Sequence, residues 1–369
     1  MDILFMGDYS GFHSNLATAL EKRGHKVHVV SNGSGYMNTA CHTQIKRSPG
    51  MKGSMVYLYN IMSLMGDWKG HDLVELINPH FLELRPGKIN YIFNRLRDGN
   101  CALGLSMCGT DHFYVRAMLG DDLLRYSEFQ CGGNPTPFAI NREDYTSGWL
   151  SPAVKIFDTM VYENVDGATT ALYEYHKVAE KYMKKPFAYT GIGVDCATLP
   201  FKLAATDEKI NIFLGAKPEY RLMKGMDILE RAIEKIAERN PGKFEITRAS
   251  GLSLHEYLRR MSHADVVMDQ LYSYTPATNA LQAMALGKVA VSGGEEEYYD
   301  FIGEKELRPI INVDPTAPDL EEALEKELLD RDALQRRSLQ GREFVEKHND
   351  INVVAARFEK HWEQILDSK

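Results

Sequence analysis

The stretch from Asp265 to Gly294 constrains the fold more than any other part of the chain. Val266 to Met268 is an apolar run with the length and composition of a strand buried on both faces of a parallel sheet. Thr275-Pro276 then reads as the N-cap and first residue of a helix that Gly287 ends, and Val289 to Val291 reads as the next strand. The pattern predicts a βαβ unit whose helix N-terminus opens at the carboxyl edge of the sheet. Open α/β sheets bind ligands at this edge, and free N–H groups there favour an anion.

A family resemblance rests on the end of this helix, which reads Gln282-Ala283-Met284-Ala285-Leu286-Gly287-Lys288. It resembles the nucleotide-sugar site of the GT-B glycosyltransferases, specifically the large retaining family 4. In that family a Glu-x7-Glu loop and helix read Glu-Ala-Met-Ala-x-Gly-Lys. The second glutamate, which holds the donor ribose, falls on Gln282, and the first falls on Tyr274. The resemblance implies an α/β fold of two Rossmann-like domains facing each other across a cleft, with a C-terminal helix that crosses back to the N-terminal domain.

The N-terminus extends the resemblance. Ile3 to Met6 is predicted to be a strand, and Gly7 to His13 to be the loop that enters the first helix. This loop has Gly-x3-Gly in place of the dinucleotide pattern Gly-x-Gly-x-x-Gly, which disfavours a nicotinamide cofactor. In GT-B enzymes the loop faces the interdomain cleft, so the resemblance implies that Gly11 lies at the donor.

A second motif follows the predicted strand Ala102 to Met107. Family members commonly have His-Gly-Ser/Thr-Asp here, with the histidine close to the donor and acceptor sugars, and this chain has the histidine position filled by cysteine. The resemblance implies a catalytic role for Asp111. It also implies acceptor-side roles for Cys108, Gly109, Thr110 and His112. For the cysteine, the residues alone favour packing over a nucleophilic role.

Three cations follow the predicted strand Ile210 to Leu214, namely Lys217, Arg221 and Lys224. The family has a Gly-Arg…Lys-Gly pair near this point that clamps the donor diphosphate. Because the three cations converge on one predicted sheet edge, an anion site is favoured over solvated loop residues. The resemblance implies catalytic roles for Arg221 and Lys224 and donor binding by Lys217.

The implied donor site has further members in the second half of the chain. Asp269 ends a predicted strand on the same cleft, and a turn or cap role is an equal alternative for it. Glu295 opens an acidic loop that suits a helix N-terminus and is a candidate for a sugar hydroxyl. The full set is Gly11, Lys217, Asp269, Tyr274, Ala277, Thr278, Gln282 and Glu295.

With 369 residues the chain is too long for one compact core and fits two domains. We expect an acceptor-binding domain over 1–202, a nucleotide-sugar-binding domain over 203–345 and a closing helix over 346–369. Residues 117–150 are rich in turn residues and are predicted to be an insertion over the acceptor side of the cleft. Residues 310–313 are predicted to form the last strand.

Composition excludes several classes of protein. A net charge of −8 argues against general nucleic-acid binding, and five scattered cysteines argue against a disulfide framework or a zinc site. No Asp-x-Asp pair lies beside a predicted strand, so we expect no metal and no cofactor. The cysteine pattern fits a reduced setting, so we expect a cytoplasmic protein. No apolar run is long enough for a membrane span. Two basic clusters are present, one at Lys46-Arg47 with Lys52 and one at residues 181–185. We interpret them as solvated surfaces, and the alternative is peripheral contact with the inner face of an anionic membrane.

Three functions are consistent with these residues. The first is a glycosyltransferase that moves a sugar from a nucleotide-diphosphate sugar to a glycan, lipid-linked or small-molecule acceptor in cell-surface polysaccharide or glycoconjugate synthesis. The second is a catalytically silent GT-B module that binds a nucleotide sugar or supports a partner enzyme, and the altered Tyr274, Gln282 and Cys108 motivate it. The third is a nucleotide-sugar epimerase, which would need acidic catalytic residues in both domains.

Overall fold

Two parallel sheets form the framework of the chain in a computed structural model, which describes residues 1–120, 122–204, 209–215 and 218–369 apart from the side chains of Tyr36 and Pro218. Its strands are β1 (Asp2–Met6), β2 (Lys26–Ser31), β3 (Thr43–Gln44), β4 (Leu73–Leu76), β5 (Ala102–Met107), β6 (Gln130–Cys131), β7 (Asn134–Pro135), β8 (Gly167–Thr170), β9 (Phe187–Tyr189), β10 (Ile210–Gly215), β11 (Phe244–Ala249), β12 (Val266–Met268) and β13 (Val289–Val291).

The helices lie between and around these strands. They are α1 (Phe12–Lys22), α2 (Gly50–Leu64), α3 (Pro86–Gly99), α4 (His112–Met118), α5 (Pro137–Asn141), α6 (Glu143–Trp149), α7 (Pro152–Asn164), α8 (Tyr173–Tyr182), α9 (Met226–Arg239), α10 (Leu254–Met261), α11 (Thr278–Ala285), α12 (Glu296–Ile302), α13 (Leu320–Leu329), α14 (Arg331–His348) and α15 (Ile351–Asp367).

The first sheet has the strand order β3-β2-β1-β4-β5-β8-β9, and all of its pairs are parallel. β5 is buried along its whole length, as expected for a strand covered by helices on both faces. The chain leaves β1 towards β2 on one side and later returns to β4 on the other. This reversal opens a crevice at the carboxyl end of β1, and the predicted loop from Gly7 enters it.

The second sheet has the order β11-β10-β12-β13 and is also parallel. Its strand order reverses at β10, so a second crevice opens between the carboxyl ends of β10 and β12. The prediction of a last strand over residues 310–313 is wrong, since only Ile311 pairs, in an isolated bridge with Val291. Pro315 follows closely, and because it has no N–H it cannot extend a ladder.

The βαβ unit predicted between Asp265 and Gly294 is confirmed as β12, α11 and β13. Gly287 ends the helix with φ 77°, a conformation that glycine adopts without a Cβ clash. The predicted helix start is wrong, because α11 begins at Thr278 with Ala277 as its N-cap. Thr275 is instead buried, and its Oγ1 donates to Glu174 at 2.6 Å. A tertiary contact has therefore taken the side chain that local sequence assigned to the cap.

The C-terminal helix crosses back onto the first sheet, as expected. α14 and α15 are separated at Asn349 and Asp350, where Asp350 caps α15. Trp362 is fully buried, and its Nε1 donates to Glu75 on β4 at 3.0 Å. Glu359 accepts from Arg23 beyond the end of α1 at 2.8 Å. The two ends of the chain are thereby joined in one core.

Candidate functional site

A cleft of about 570 Å³ lies between the carboxyl edges of the two sheets. Loops from both halves of the chain line it, so its shape depends on how the halves meet. Its lining comprises Asp8, Tyr9, Ser10, Asn32, Ser34, Gly35 and Met37 from the first half, and Gly215, Tyr220, Lys224, Ala249, Ser250, Gly251, Leu252, Leu254, Tyr257, Gln270, Ala277, Thr278, Asn279 and Gln282 from the second.

The N-terminal wall is organised by Asp8, which is 3% exposed. Its carboxylate accepts from the backbone N–H of His13 at 2.9 Å and from Thr39 Oγ1 at 2.8 Å. These bonds hold the loop after β1 against α1. Gly11 caps α1 with φ 84°, directly beside the lining residues Tyr9 and Ser10. The loop predicted to face the cleft does so, and Gly11 itself stands behind its surface.

The opposite wall is the N-terminus of α11, where Ala277, Thr278 and Asn279 all line the cleft. Ala277 has no side chain that could cap the helix, and no side-chain capping bond is made there. The first N–H groups of α11 therefore keep their capacity to donate, and the helix dipole places partial positive charge at the same point. This wall can bind a phosphate or another anion.

Asp269 lies behind this wall and fixes its polar side chains. It is fully buried and accepts from Lys224 Nζ at 2.8 Å, Asn279 Nδ2 at 3.1 Å and Ser292 Oγ at 3.0 Å. Lys224 is the partly exposed member, with 26% of its side chain accessible, and it lines the cleft. The carboxylate thus fixes the position of the Lys224 cation relative to the first turn of α11. Asp269 does not itself line the cleft, so donor binding by its carboxylate stays a prediction.

Two cleft residues that sequence reasoning missed are Tyr257 and Asn279. Tyr257 OH donates to the carbonyl of Gly215 at 3.1 Å and to Asn279 Oδ1 at 2.8 Å, which joins β10 to α11. A Cβ on Gly215 would lie only 2.0 Å from this hydroxyl, so a glycine is required there. Asn279 could have been predicted, since an amide in the first turn of a helix that binds a ligand is well placed to make a polar contact with it. Tyr257 lies in an ordinary amphipathic helix, and nothing in the sequence indicates that it lines the cleft.

Gln282 occupies the position of the family's ribose-binding glutamate and lines the cleft, one turn along α11 from Thr278. Ala249 at the end of β11 and the following residues to Leu252 line the cleft as well. The side-chain amide of Gln282 can donate to and accept from a hydroxyl group. This region of the cleft therefore combines a neutral polar side chain with a small, partly apolar loop.

Arg221 does not reach the cleft in this structure. Its Nε and Nη2 donate to Glu230 Oε2 at 3.0 and 2.5 Å, and Arg248 pairs with the same carboxylate at 2.6 Å. Binding of a diphosphate by Arg221 therefore stays a prediction and requires the side chain to leave Glu230. Lys217 lies outside the described residues, so its donor role also stays a prediction.

Tyr274 and Glu295 contact the predicted insertion and do not line the cleft. The Tyr274 OH accepts from the backbone N–H of Arg125 at 2.7 Å, and burial raises the pKa of this phenol to about 12. Glu295 accepts from Arg125 Nη2 and from Tyr126 OH, both at 2.5 Å. The structure therefore places these two residues between the halves of the chain. The segment 117–150 bridges to the second sheet, and its cover of an acceptor stays a prediction.

Glu174 on α8, which the sequence did not single out, holds the same junction. It is 5% exposed and accepts from the backbone N–H groups of Tyr274 and Thr275 at 2.7 and 3.1 Å. Ser273 Oγ and Thr275 Oγ1 donate to it as well, at 2.9 and 2.6 Å. The loop that carries the Glu-x7-Glu position in the family is thus bound by a carboxylate from the first half of the chain.

The motif after β5 is mainly structural in its contacts. Asp111 caps α4 by accepting from Tyr114 N at 2.7 Å, and burial followed by the nearby Asp158 raises its pKa to about 7. His112 is buried, with its Nδ1 at 3.1 Å from the carbonyl of Trp149. Neither lines the cleft, so the catalytic role predicted for Asp111 lacks a contact with it.

The first residues of this motif lie closer to the cleft. Gly109 has φ 101°, and a Cβ there would lie 3.0 Å from the ring of Tyr9, a cleft residue. Cys108 is partly buried, and burial raises the pKa of its thiol to about 12, which favours the packing role. Thr110 Oγ1 accepts from Tyr145 OH at 2.9 Å. Gly109 therefore packs against the loop at Tyr9, and the acceptor-side roles of Cys108, Gly109 and Thr110 stay predictions.

A metal-binding cluster and a membrane-spanning helix are both absent from the described part of the chain. Its residues contain no group of three or more His, Cys, Asp or Glu side chains placed to hold a metal ion. None of its helices combines the length and the apolar character that crossing a membrane requires.

Comparison with known proteins identifies the fold. No protein-family model matches the chain, and no curated protein matches it by sequence. The sucrose-phosphate synthase of Thermosynechococcus elongatus superposes with a TM-score of 0.63 at 14% identity, over 100% of both chains. Anabaena HepE in complex with UDP-glucose has a TM-score of 0.61 at 12% identity, again over 100% of both chains. WaaG, a glycosyltransferase involved in lipopolysaccharide biosynthesis, has a TM-score of 0.56 at 12% identity, over 98% of this chain and 99% of WaaG. The chain has the GT-B fold.

Proposed function

We propose that this GT-B chain is a glycosyltransferase that moves a sugar, of hexosyl type, from a nucleotide-diphosphate sugar to a glycan, lipid-linked or small-molecule acceptor. The observation that carries the proposal is that Lys224, the α11 N-terminus and Gln282 line one cleft. A cation, a helix N-terminus and a polar side chain one turn further match the charges and hydroxyls of a nucleoside diphosphate. The proposed setting is cytoplasmic, in cell-surface polysaccharide or glycoconjugate synthesis.

The donor would lie along the second wall of the cleft. The N–H groups at Ala277 and Thr278 would donate to the diphosphate, and Lys224 would balance its charge from the side of Asp269. Gln282 would hold a ribose hydroxyl. Lys217 and Arg221 would add charge to the same diphosphate, Arg221 after exchanging Glu230 for phosphate oxygens.

The reaction would be metal-independent and retaining. The bond between the anomeric carbon and the donor phosphate breaks, and the phosphate oxygen takes the electron pair. The acceptor oxygen forms the new bond to the same carbon, and its proton passes to the departing phosphate. Lys224 and the α11 N-terminus stabilise the charge that develops on the phosphate, which is the electrostatic work that a preorganised site performs best.

A catalytically silent nucleotide-sugar-binding module is the second candidate. The placement of Tyr274 and Glu295 favours it, because both side chains make contacts between the halves of the chain instead of lining the cleft. Such a protein would keep the donor site and would act by supporting a partner enzyme.

Thermal-shift measurements with UDP, GDP, ADP and CMP, each with and without EDTA, test the proposal. We expect one base to stabilise the protein with and without EDTA, because ligand binding to the native state raises its stability. Incubation of the matching nucleotide sugar with acceptors then separates the two candidates, since turnover supports the transferase and binding without turnover supports the silent module. If no nucleotide raises the melting temperature, both candidates fail.

A further inference from the structure

The helix α2 carries an exposed apolar ridge that the cleft does not explain. Four side chains at helical spacing form it, and their exposures are Met51 81%, Met55 65%, Tyr59 73% and Met62 46%. Residues four or three apart lie on one face of a helix, so these side chains form a continuous stripe. Surface helices of globular proteins normally place polar residues there.

The opposite face of α2 is an ordinary core face. Tyr57 and Ile61 are 2% and 0% exposed, and both belong to the core of the first sheet. The helix is therefore anchored by one apolar face and presents a second one to the surroundings. A contiguous exposed apolar patch of this kind marks an interaction surface.

Basic residues outnumber acidic ones around the ridge. Between Thr43 and Gly66 the chain has Lys46, Arg47 and Lys52 and no Asp or Glu. Arg47 Nη1 also donates to the carbonyl of Glu83 at 3.4 Å, which brings the start of α3 close. Glu83 is itself an exposed acidic residue beside this contact, and Arg85 and Lys88 follow it at the start of α3. This local charge stands out against the net charge of −8 of the whole chain.

We propose that α2 docks the protein on an anionic lipid bilayer, with the ridge in the headgroup region and the flanking cations on the lipid phosphates. Interfacial helices combine an apolar face with Lys and Arg in this way. The same charges argue against a second copy as the occupant, because pairing α2 with itself would bring Lys46, Arg47 and Lys52 of both copies together. The docking does not depend on the donor chemistry proposed above.

Docking would also select the acceptor. The inner-face residue Tyr57 lines a small pocket of about 60 Å³ together with Asp8, Tyr9 and Asn32, and these three residues also line the main cleft. A bilayer at α2 therefore lies on the side of the N-terminal wall. This consequence, which rests on the proposed function, favours a lipid-linked acceptor over a free glycan.

Co-sedimentation with vesicles tests the docking. We expect the protein to bind vesicles of phosphatidylcholine mixed with phosphatidylglycerol, and to bind phosphatidylcholine alone at least tenfold more weakly. Lys46→Ser with Lys52→Ser should weaken binding roughly twentyfold, since each cation near an anionic surface contributes about fivefold. Met55→Ser with Tyr59→Ser should weaken it at least tenfold.

A matched control separates the ridge from exposed apolar area in general. Ile140 and Ile156 are 64% and 71% exposed on α5 and α7, and Ile140→Ser with Ile156→Ser should leave vesicle binding unchanged. Equal weakening by this control, or no binding of the unmodified protein to anionic vesicles, overturns the docking. A dimer that Met55→Ser with Tyr59→Ser converts to a monomer, without vesicle binding, overturns it in favour of a protein interface. Nucleotide thermal shifts of the same variants report separately on the proposed function.

Discussion

Variants of the ion pair between Lys224 and Asp269 separate its contribution to stability from the contribution of Lys224 to nucleotide binding. Replacing Lys224 by methionine leaves the fully buried carboxylate of Asp269 with two neutral side-chain donors, Asn279 and Ser292, within the described part of the chain. Breaking a buried ion pair costs about 3–5 kcal/mol. Because a quarter of the Lys224 side chain is exposed, water can replace part of the loss, and we expect about 2–3 kcal/mol. The melting temperature should fall by about 4–10 °C.

The double variant Lys224→Met with Asp269→Asn tests this reasoning. The asparagine removes the unpaired charge, so we expect it to recover about 2 kcal/mol of the unfolding free energy relative to Lys224→Met, measured by urea titration. Both variants should bind nucleotide roughly tenfold or more weakly than the unmodified protein, because both lack the Lys224 cation. The explanation is refuted if Lys224→Met is as stable as the unmodified protein. It is also refuted if the double variant gains no stability over the single one.

Three further predictions follow from buried or cleft-lining side chains. Burial raises the pKa of Glu75 to about 7, so the folded state holds its proton more tightly than the unfolded state, and its contribution to stability is lost as the pH rises from about 4.5 to 7. Glu75→Gln should remove this loss, so between pH 4.5 and 7 the unfolding free energy of the variant should rise by up to about 3 kcal/mol relative to that of the unmodified protein. If the unfolding free energies of the two proteins change in parallel with pH, the assignment is contradicted. Glu174→Gln removes the charge that accepts four hydrogen bonds from residues 273–275 and should lower the melting temperature by several degrees, whereas the exposed Glu180→Gln on the same helix should leave it unchanged. Gln282→Glu should tighten nucleoside-diphosphate binding about tenfold in calorimetry, because a hydrogen bond to a charged acceptor is stronger, and an unchanged affinity would mean that Gln282 does not hold the ribose.

The contacts of Tyr274 explain why the donor motif departs from its family at this position. The tyrosine ring packs 4.8 Å from the ring of Tyr126, and the Arg125 guanidinium lies over it at 5.5 Å from the ring centre. A glutamate at this position would lose the contact between the two rings and would stand beside Glu295, which already binds Arg125. The substitution is therefore coupled to the bridging segment 117–150, a relation that spans some 150 residues and has no local signature.

The fold and one wall of the site could be predicted because their causes are local. Apolar runs such as Val266 to Met268 form buried parallel strands, a helix ends where glycine relieves the Cβ clash, and the N-terminus of α11 must then lie at the carboxyl edge of the sheet. The positions of Lys224 and Gln282 in the cleft follow from the same order of strands and helices. Local sequence thus determined the two Rossmann-like sheets and the anion-binding wall, whereas the crossing of the C-terminal helix was implied by the family resemblance.

The tertiary structure decided which polar side chains remain available in the cleft. Thr275 reads as a helix cap until Glu174 takes its hydroxyl, and Arg221 reads as a phosphate clamp until Glu230 pairs with it. The exposed ridge of α2 likewise becomes visible only once Tyr57 and Ile61 show which face is buried. Local propensity records what each side chain can bind, whereas its actual partner is set by residues far away in the chain, which only folding brings within hydrogen-bonding distance.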